Sequence, residues 1–558
     1  MKLKPFLALV LVLVLVTAGC AQLPRSGAIK SGPNLESGLT TDYLYYSPVG
    51  PLEGDTQLDV LNGFLNAGTG PQNDYATARD YLSEAFKSNW NPSEEVLIQR
   101  GKPVVAIYPN DLAEVSIETM AKVNADGQYM ALEGGASRLL DFKFVKENGQ
   151  WRISEAPNLT VIIKPVFDVI FRSYSLYFFD NQFRYLVPDL RWFPSRASTG
   201  TRLVNALLKG PSDWLEGAVQ SALPKGTKLA TDSVTVVNGV ASVDLTNRAL
   251  TASPIARQHF KVQLRQTLSQ LSNVSRVNIS IERTPQEIAD LTNVLPSQIS
   301  FSPVALIDDN LVQLTSTTST TIIGAKRLIQ DSAATDFALS ADENWLALNS
   351  ESGTSIARLG AVGTKSLVID SRTNQLHPLF DRQGFVWTTG SGAGQEVAVT
   401  SLTGEKIAFN SGWMMGFQKL RFSLSSEGSR AAVLVQSPFG TQVFVSAVLR
   451  DKLGVPTGFG SPYLVLDATS GAKSVSWLGE VSLGVLVDGV TDSPTPTIVT
   501  VGGGTRTLPV VDGAVDLIGT NTVSSIYLRT LSADLYQYRG VAWIWLQTGA
   551  KAVHFAGF

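Results

Sequence analysis

Few side chains in this sequence have the type and spacing that chemistry needs. The one cysteine, Cys20, closes a distinctive opening: Lys2 and Lys4 are basic, residues 6–16 are an unbroken apolar run, and Thr17-Ala18-Gly19 are small. A basic start, an apolar middle and a small-residue cleavage site make the layout of a secretory signal. The run is too short for a relaxed bilayer span, which needs about 20 apolar residues. The three histidines, His259, His377 and His554, fall in different predicted domains and match no metal-ligand spacing. They read as solvated or core side chains. Ser470-Gly471-Ala472-Lys473 fits Ser-x-x-Lys without the Ser-Asp-Asn or Lys-Thr-Gly that accompany that motif. Gly502-Gly503-Gly504 lacks a following Lys-Ser/Thr and makes no phosphate loop. No carboxylate pair for glycoside hydrolysis is singled out among the scattered acidic residues. The expectation is a protein that is not an enzyme and that uses no cofactor and no metal.

Composition bounds the rest. A chain of 558 residues is too long for one core, and two to four domains are expected. Apolar content of 44% and charged content of 17% are ordinary for folded material. The 45 basic and 48 acidic residues leave a formal net charge of −3, which argues against nucleic acid or an anionic lipid surface as the main partner. With one cysteine no internal disulfide can form, so the cores alone must hold the fold.

In chain order, residues 1–19 are the signal and residues 20–54 a Gly/Ser/Pro-rich tether. Residues 55–195 read as an α+β domain, with helices around Leu58, Leu61 and Leu65 and over 75–82, then strands at 103–108, 113–123 and 129–132. Asn148-Gly149 between alternating apolar residues is a hairpin signal, because both central residues of a type I′ turn need positive φ. The stretch from Tyr177-Phe178-Phe179 to Arg191-Trp192 has two readings: an exposed partner-binding face, or a strand buried between domains. Residues 196–285 give helix, two strands, helix, strand. Gly210-Pro211 ends the first helix, Asn238-Gly239 turns the hairpin, and Ser253 with Pro254 starts the second helix. Arg257, Lys261 and Arg265 line that helix as a solvated face or a contact for an acidic partner. Residues 295–558 are all-β. The segment 336–348 has an echo at 421–433, 85 positions on. That is two repeats of about 42 residues, a propeller period, and six blades fit the segment.

Several of these stretches resemble known families. Thr17-Ala18-Gly19-Cys20 resembles a bacterial lipoprotein signal, with Thr17 where Leu is usual. The resemblance implies cleavage between Gly19 and Cys20 and lipidation of Cys20, with N-palmitoyl and S-diacylglycerol groups. The 55–195 pattern is similar to cone-shaped nuclear-transport-factor-like folds. Ser340-x-Asp342-x-Asn344-Trp345 faintly resembles the Asp-box of sialidases but lacks its Gly and Thr. Leu207-Leu208-Lys209-Gly210-Pro211, Leu223-Pro224-Lys225-Gly226-Thr227, residues 240–245 and Gln266-Thr267-Leu268 resemble the GerMN domain. With Val187-Pro188-Asp189 and the signal, the chain resembles the actinobacterial LpqB lipoprotein family over nearly its full length. The family implies a multidomain fold: an α+β N-terminal cone-like domain, an α+β GerMN domain and an all-β C-terminal propeller. It implies a lipid-anchored protein on the extracytoplasmic face of the cell membrane. It also implies a partner, the extracellular domain of the sensor kinase MtrB of the MtrA/MtrB two-component system. The partner-binding candidates are Tyr177, Phe178, Phe179, Arg191 and Trp192. The rival expectation is a cell-wall glycan binder or envelope hydrolase that uses the propeller channel.

The lipid anchor is directly testable. Cys20→Ser should release the protein from membranes or leave it unprocessed, because each buried CH₂ of an acyl chain adds about 0.8 kcal/mol of membrane affinity. Fractionation and gel mobility identical to wild type would rule the anchor out.

Overall fold

A computed structural model describes residues 48–196, 198–291, 302–315, 319–360, 365–489, 493–520 and 525–557. Gly19, Cys20, the signal and the tether up to residue 47 lie outside the described residues. Thr56 opens the first helix, α1 (Gln57–Ala67), with a capping box: its hydroxyl accepts from the Asp59 amide, and the Asp59 carboxylate accepts from the Thr56 amide. Val60, Leu61 and Phe64 on its inner face pack on Leu97, Val115, Phe142 and Ile153. Those four come from a five-stranded sheet of β1 (Glu95–Tyr108), β2 (Leu112–Asn124), β3 (Tyr129–Glu147), β4 (Gln150–Glu155) and β5 (Thr160–Ile163), in the order β4-β3-β2-β1-β5. Asn148 and Gly149 hold φ of 51° and 80° and turn β3 into β4, as the sequence signalled. The second helix is shorter than expected, α2 (Ala76–Arg79). Asn73, Asp74 and Tyr75 precede it at positive φ, and Leu82 after it is drawn into a bridge with Ile153. The gap under α1, beside Phe64, Trp90 and Phe142, is about 10 Å³. That admits at most about one water, so this cavity under α1 is too small for a ligand.

Helix α3 (Lys164–Ile170) leads into a long hairpin, β6 (Phe171–Asp180) and β7 (Leu186–Pro194). The sequence placed this hairpin in the first domain. Its side chains pack on both domains: Leu176, Phe178 and Val187 share a core with Leu203, Leu207, Phe260 and Leu264 of the second, while Phe171 and Trp192 pack with Val96, Ile98 and Phe167 of the first. The second core's helices are α4 (Thr199–Lys209), ended by Gly210 at φ 119°, and α5 (Pro254–Leu268), whose N-cap Ser253 accepts from the Ala256 amide. Between and after them run β8 (Val219–Gln220), β9 (Thr235–Val237), β10 (Val240–Leu245), β11 (Arg276–Ile281) and β12 (Thr284–Pro285). β9 and β10 form the Asn238-Gly239 hairpin, and β10 and β11 are parallel.

The rest is six antiparallel sheets in sequence, the blades of a propeller. The first strands of blades 2 to 6 are Asp336–Leu339, Leu379–Phe380, Gln418–Leu424, Ala472–Trp477 and Ala514–Gly519. These strands neighbour one another from blade 2 to 3, 4 to 5 and 5 to 6. In blade 1 the chain end takes that place. Ala552–His554 pairs with Val304–Ile307, so the last strand closes the ring on the first blade. The echo at 336–348 and 421–433 is the first hairpin of blades 2 and 4.

Closure makes the ring all-or-none, since a missing strand leaves sheet edges unpaired. A chain ending before Ala552 should be insoluble or protease-sensitive throughout residues 302–551. A soluble, protease-resistant product would show that the ring does not need its closing strand.

Candidate functional site

Of the five residues picked from the sequence as partner anchors, Tyr177, Phe178, Phe179 and Arg191 are buried and Trp192 is half-buried, which fits the buried-strand reading of this stretch and not the exposed-face one. Every residue of β6 from Tyr174 to Asp180 is buried. Phe178 sits in the second domain's core. Phe179 packs on the His259 ring at 4.9 Å. The Tyr177 hydroxyl donates to Glu480 of the propeller at 2.9 Å. Burial, then the Glu480 charge, pushes this phenol far above its ordinary range. One edge of β6 pairs with β7, and its other backbone groups are met by β8 at Phe179 and Asp180 and by side chains of α5 and the residues just after it. Gln263 donates to the Tyr177 carbonyl, Thr267 accepts from the Tyr177 amide, and Gln270 bonds both groups of Ser175. A run apolar on successive residues, rather than alternate ones, is the signal of two-sided burial that points to this.

On β7, Arg191 is 2% exposed. It donates to the Asp189 carboxylate at 2.7 Å and to the Asp126 carbonyl of the first domain at 2.9 Å. Asp189 also accepts from the amide and hydroxyl of Ser212, each at 2.8 Å. The Trp192 amide donates to the Gly127 carbonyl and its indole to the Gly502 carbonyl, both at 2.7 Å. Thus the Gly502-Gly503-Gly504 turn of blade 5 receives Trp192. Of the basic stripe on α5, Lys261 is spent on Asp290 and the Ile288 carbonyl, and Arg257 on Gln286.

Where the three domains meet there is a cavity of about 280 Å³. Tyr129 and Gln128 come from the first domain, Asp189 and Trp214 from the second, and Arg430 and Tyr463 from the propeller. Trp214 and Tyr463 are stacked, centroids 5.6 Å apart and planes 14° off parallel. The Tyr463 hydroxyl is fixed by the Tyr129 carbonyl at 2.7 Å. Arg430, 1% exposed, donates from Nε to Glu427 at 2.6 Å and lies 4.6 Å over the Trp477 ring. Its Nη1 is buried without a hydrogen-bond partner. A donor left so costs about 1–3 kcal/mol. Sequence reading missed this site because its lining is drawn from positions more than 300 residues apart, and neither the Val187-Pro188-Asp189 nor the Gly502-Gly503-Gly504 stretch points to the other.

The propeller brings together two of the three histidines. His377 and His554 stack at 5.1 Å, and His554 is hydrogen-bonded to Asp336 at 2.7 Å. His554 is on the closing strand and Asp336 begins blade 2, so this bond spans the closure. Burial would raise the Asp336 carboxyl, but the adjacent His554, with His377, outweighs it and holds the group at about 2. Burial, then the His554 charge and Arg421 against Asp336 and Asp516, lowers His377 to about 4. Among the described residues no set of three His, Cys, Asp or Glu side chains can hold a metal ion. The sialidase-like Ser340-Asp342-Asn344 stretch is a closed turn, with Ser340 donating to Asp342 at 2.6 Å. Lys473 of the Ser-x-x-Lys stretch pairs with Asp488 at 3.2 Å.

Comparison with known proteins accounts for the order of the domains. Residues 50–168 match the N-terminal domain of lipoprotein LpqB, residues 175–287 the sporulation and spore germination domain, and residues 309–552 the LpqB β-propeller domain. Lipoprotein LpqB of Thermobifida fusca is 29% identical over 290 residues, 50% of this chain and 46% of that one. The chain thus spans about half the length of the first curated relatives it matches. Lipoprotein LpqB of Corynebacterium diphtheriae is 24% identical over 502 residues, 84% of this chain and 83% of that one. The first GerMN domain of the Bacillus subtilis sporulation protein GerM is 23% identical, with 22% of this chain and 96% of that one covered at a TM-score of 0.19.

The histidine pair sets a pH dependence. An unfolded histidine protonates below about 6.5, whereas folded His377 does so only near 4. Between those values the unfolded chain binds more protons, so stability falls as pH falls. His259, lowered by burial, acts in the same direction. Asp336 acts in a lower window: its stabilisation is lost as pH drops below the ordinary carboxylate range towards about 2. The thermal midpoint should drop between pH 6.5 and 4, and His377→Gln should flatten that slope. An unchanged slope in the variant would contradict the role given to His377.

Proposed function

This chain belongs to the LpqB lipoprotein family, and from that premise we propose that it is a non-enzymatic adaptor, lipid-anchored on the extracytoplasmic face of the cell membrane. It docks on the extracellular domain of the sensor kinase MtrB and modulates it, and so influences cell-envelope homeostasis and division. Among the described residues no helix is long and apolar enough to cross a membrane, and in this reading the anchor is the Cys20 lipid. The observation that supports docking is an unpartnered sheet face on the domain next to the tether. Val104, Tyr108, Leu112 and Leu139 are 68%, 48%, 38% and 59% exposed. The pairings Val104↔Ser116↔Leu139 and Tyr108↔Leu112 put all four on the same face. They take the place of the buried 177–192 stretch as the proposed contact, since aromatic and apolar anchors carry interface energy.

A second reading has one observation in its favour. Asp336, His377, His554, Arg421 and Asp516 lie on or beside the inner strands, close enough for the charges of the other four to act on His377. This suits a channel that takes a polar ligand such as a cell-wall glycan.

Photo-crosslinkers at Val104 and Leu139, and at Trp545 on the outer strand of blade 6, separate the readings in intact membranes. Crosslinks to the kinase from 104 and 139 are expected. Crosslinks from 545 alone would move the docking face to the propeller, and none from any position would remove the adaptor reading.

A further inference from the structure

The geometry points to the cavity at the three-domain junction as a binding site for a single neutral sugar ring. This inference stands apart from kinase docking and from the propeller channel. Charge decides the ligand class. Asp189 is already paired with Arg191, and Arg430 with Glu427. The remaining charged lining residue, Asp213, is negative. An anion would therefore meet no uncommitted positive charge, and its nearest uncompensated neighbour would repel it. A neutral ring meets neither problem.

The polar lining answers hydroxyl groups. Gln128, Asp213 and Ser461 line the cavity, and a sugar hydroxyl both donates and accepts, so it can pair with any of them. The apolar requirement is met too. Trp214 and Tyr463 stack on each other in the lining, and the outer face of such a pair is a surface that takes the C–H face of a pyranose or furanose. A volume of about 280 Å³ lies at the small end of ligand pockets, which run from roughly 300 to 1,000 Å³. It holds one ring and not an extended chain. Pockets gather at domain interfaces, and here each domain supplies part of the wall. A bound ring would therefore bridge all three and favour the assembled junction by mass action.

Calorimetry on the full chain in detergent tests this with glucose, galactose, arabinose and N-acetylglucosamine as neutral probes. Glucuronate and inorganic phosphate serve as anionic ones. At least one neutral sugar should bind in the millimolar range or tighter and raise the thermal midpoint. Trp214→Leu should weaken it by about tenfold or more, a change equal to about 1.4 kcal/mol. Met130→Trp, which fills the cavity from a partly exposed position, should abolish it; near-UV circular dichroism checks that each variant is folded, and either folded variant suffices. Binding of the anions in place of the sugars would overturn the ligand class. Binding that survives the folded variants unchanged, or no sugar binding at all, would overturn the site.

Discussion

Four residues, Asp189 to Trp192, hold the three domains as one body. Asp189 takes two hydrogen bonds from Ser212 in its own domain and one from Arg191. Arg191 and Trp192 reach Asp126 and Gly127 on the turn between β2 and β3 of the first domain. The Trp192 indole reaches Gly502 of the propeller. At the centre is an ion pair with both side chains 2% exposed. Such a pair offers little net stability over a well-packed apolar one, but removing one member leaves a buried charge and costs about 3–5 kcal/mol. Its contribution is registry: the carboxylate and guanidinium fix which loop meets which.

The same device recurs on the propeller face beneath the hairpin. Arg450 pairs with Asp381 at 2.8 Å, and Arg430 with Glu427 at 2.6 Å, all four side chains nearly inaccessible. Asn181 of the second domain donates to the Arg450 carbonyl, tying the blade 4 pair to the hairpin tip. Backbone shape is fitted as closely. Gly454 sits at φ 85°, and a Cβ there would run into the Gln182 side chain. An alanine would be strained by its own dihedral, while the flexible end of Gln182 would have to move aside. Polar pairs set geometry, where apolar burial alone would permit sliding.

What the sequence revealed divides along range. Asn148-Gly149, Asn238-Gly239 and Ser253-Pro254 act through neighbouring backbone, so their turns and cap were readable directly. The 85-residue echo was readable because each blade repeats one local pattern. Contacts that close over long loops left little trace. His377 and His554 are 177 positions apart, and only ring closure brings them together. Arg191, a charge in an apolar stretch, reads locally as exposed, because nothing local shows that Asp189 and the distant Asp126 carbonyl will meet it. The hairpin's packing on the second core was hidden for the same reason: its partners there, Leu203 to Phe260, lie downstream. The family resemblance supplied the domain order but neither the junction nor the histidine pair.

The two ends of the propeller axis are chemically different, and that difference bears on which functions can coexist. Glu427, Arg430 and Glu480 follow the ends of inner strands Gln418–Leu424 and Ala472–Trp477, and here the second domain packs. Asp336 begins an inner strand and His377 immediately precedes one, so the histidine pair lies at the opposite end. The second domain is tied to the first end by the hydrogen bonds of Tyr177, Asn181 and Trp192. A ligand approaching the histidine end and a ring entering the junction cavity between the domains would therefore take different routes. Docking through the exposed sheet face of the first domain obstructs neither route. Because the three domains are already assembled, a partner meeting that face has little chain to order, and the entropic cost of association is correspondingly small.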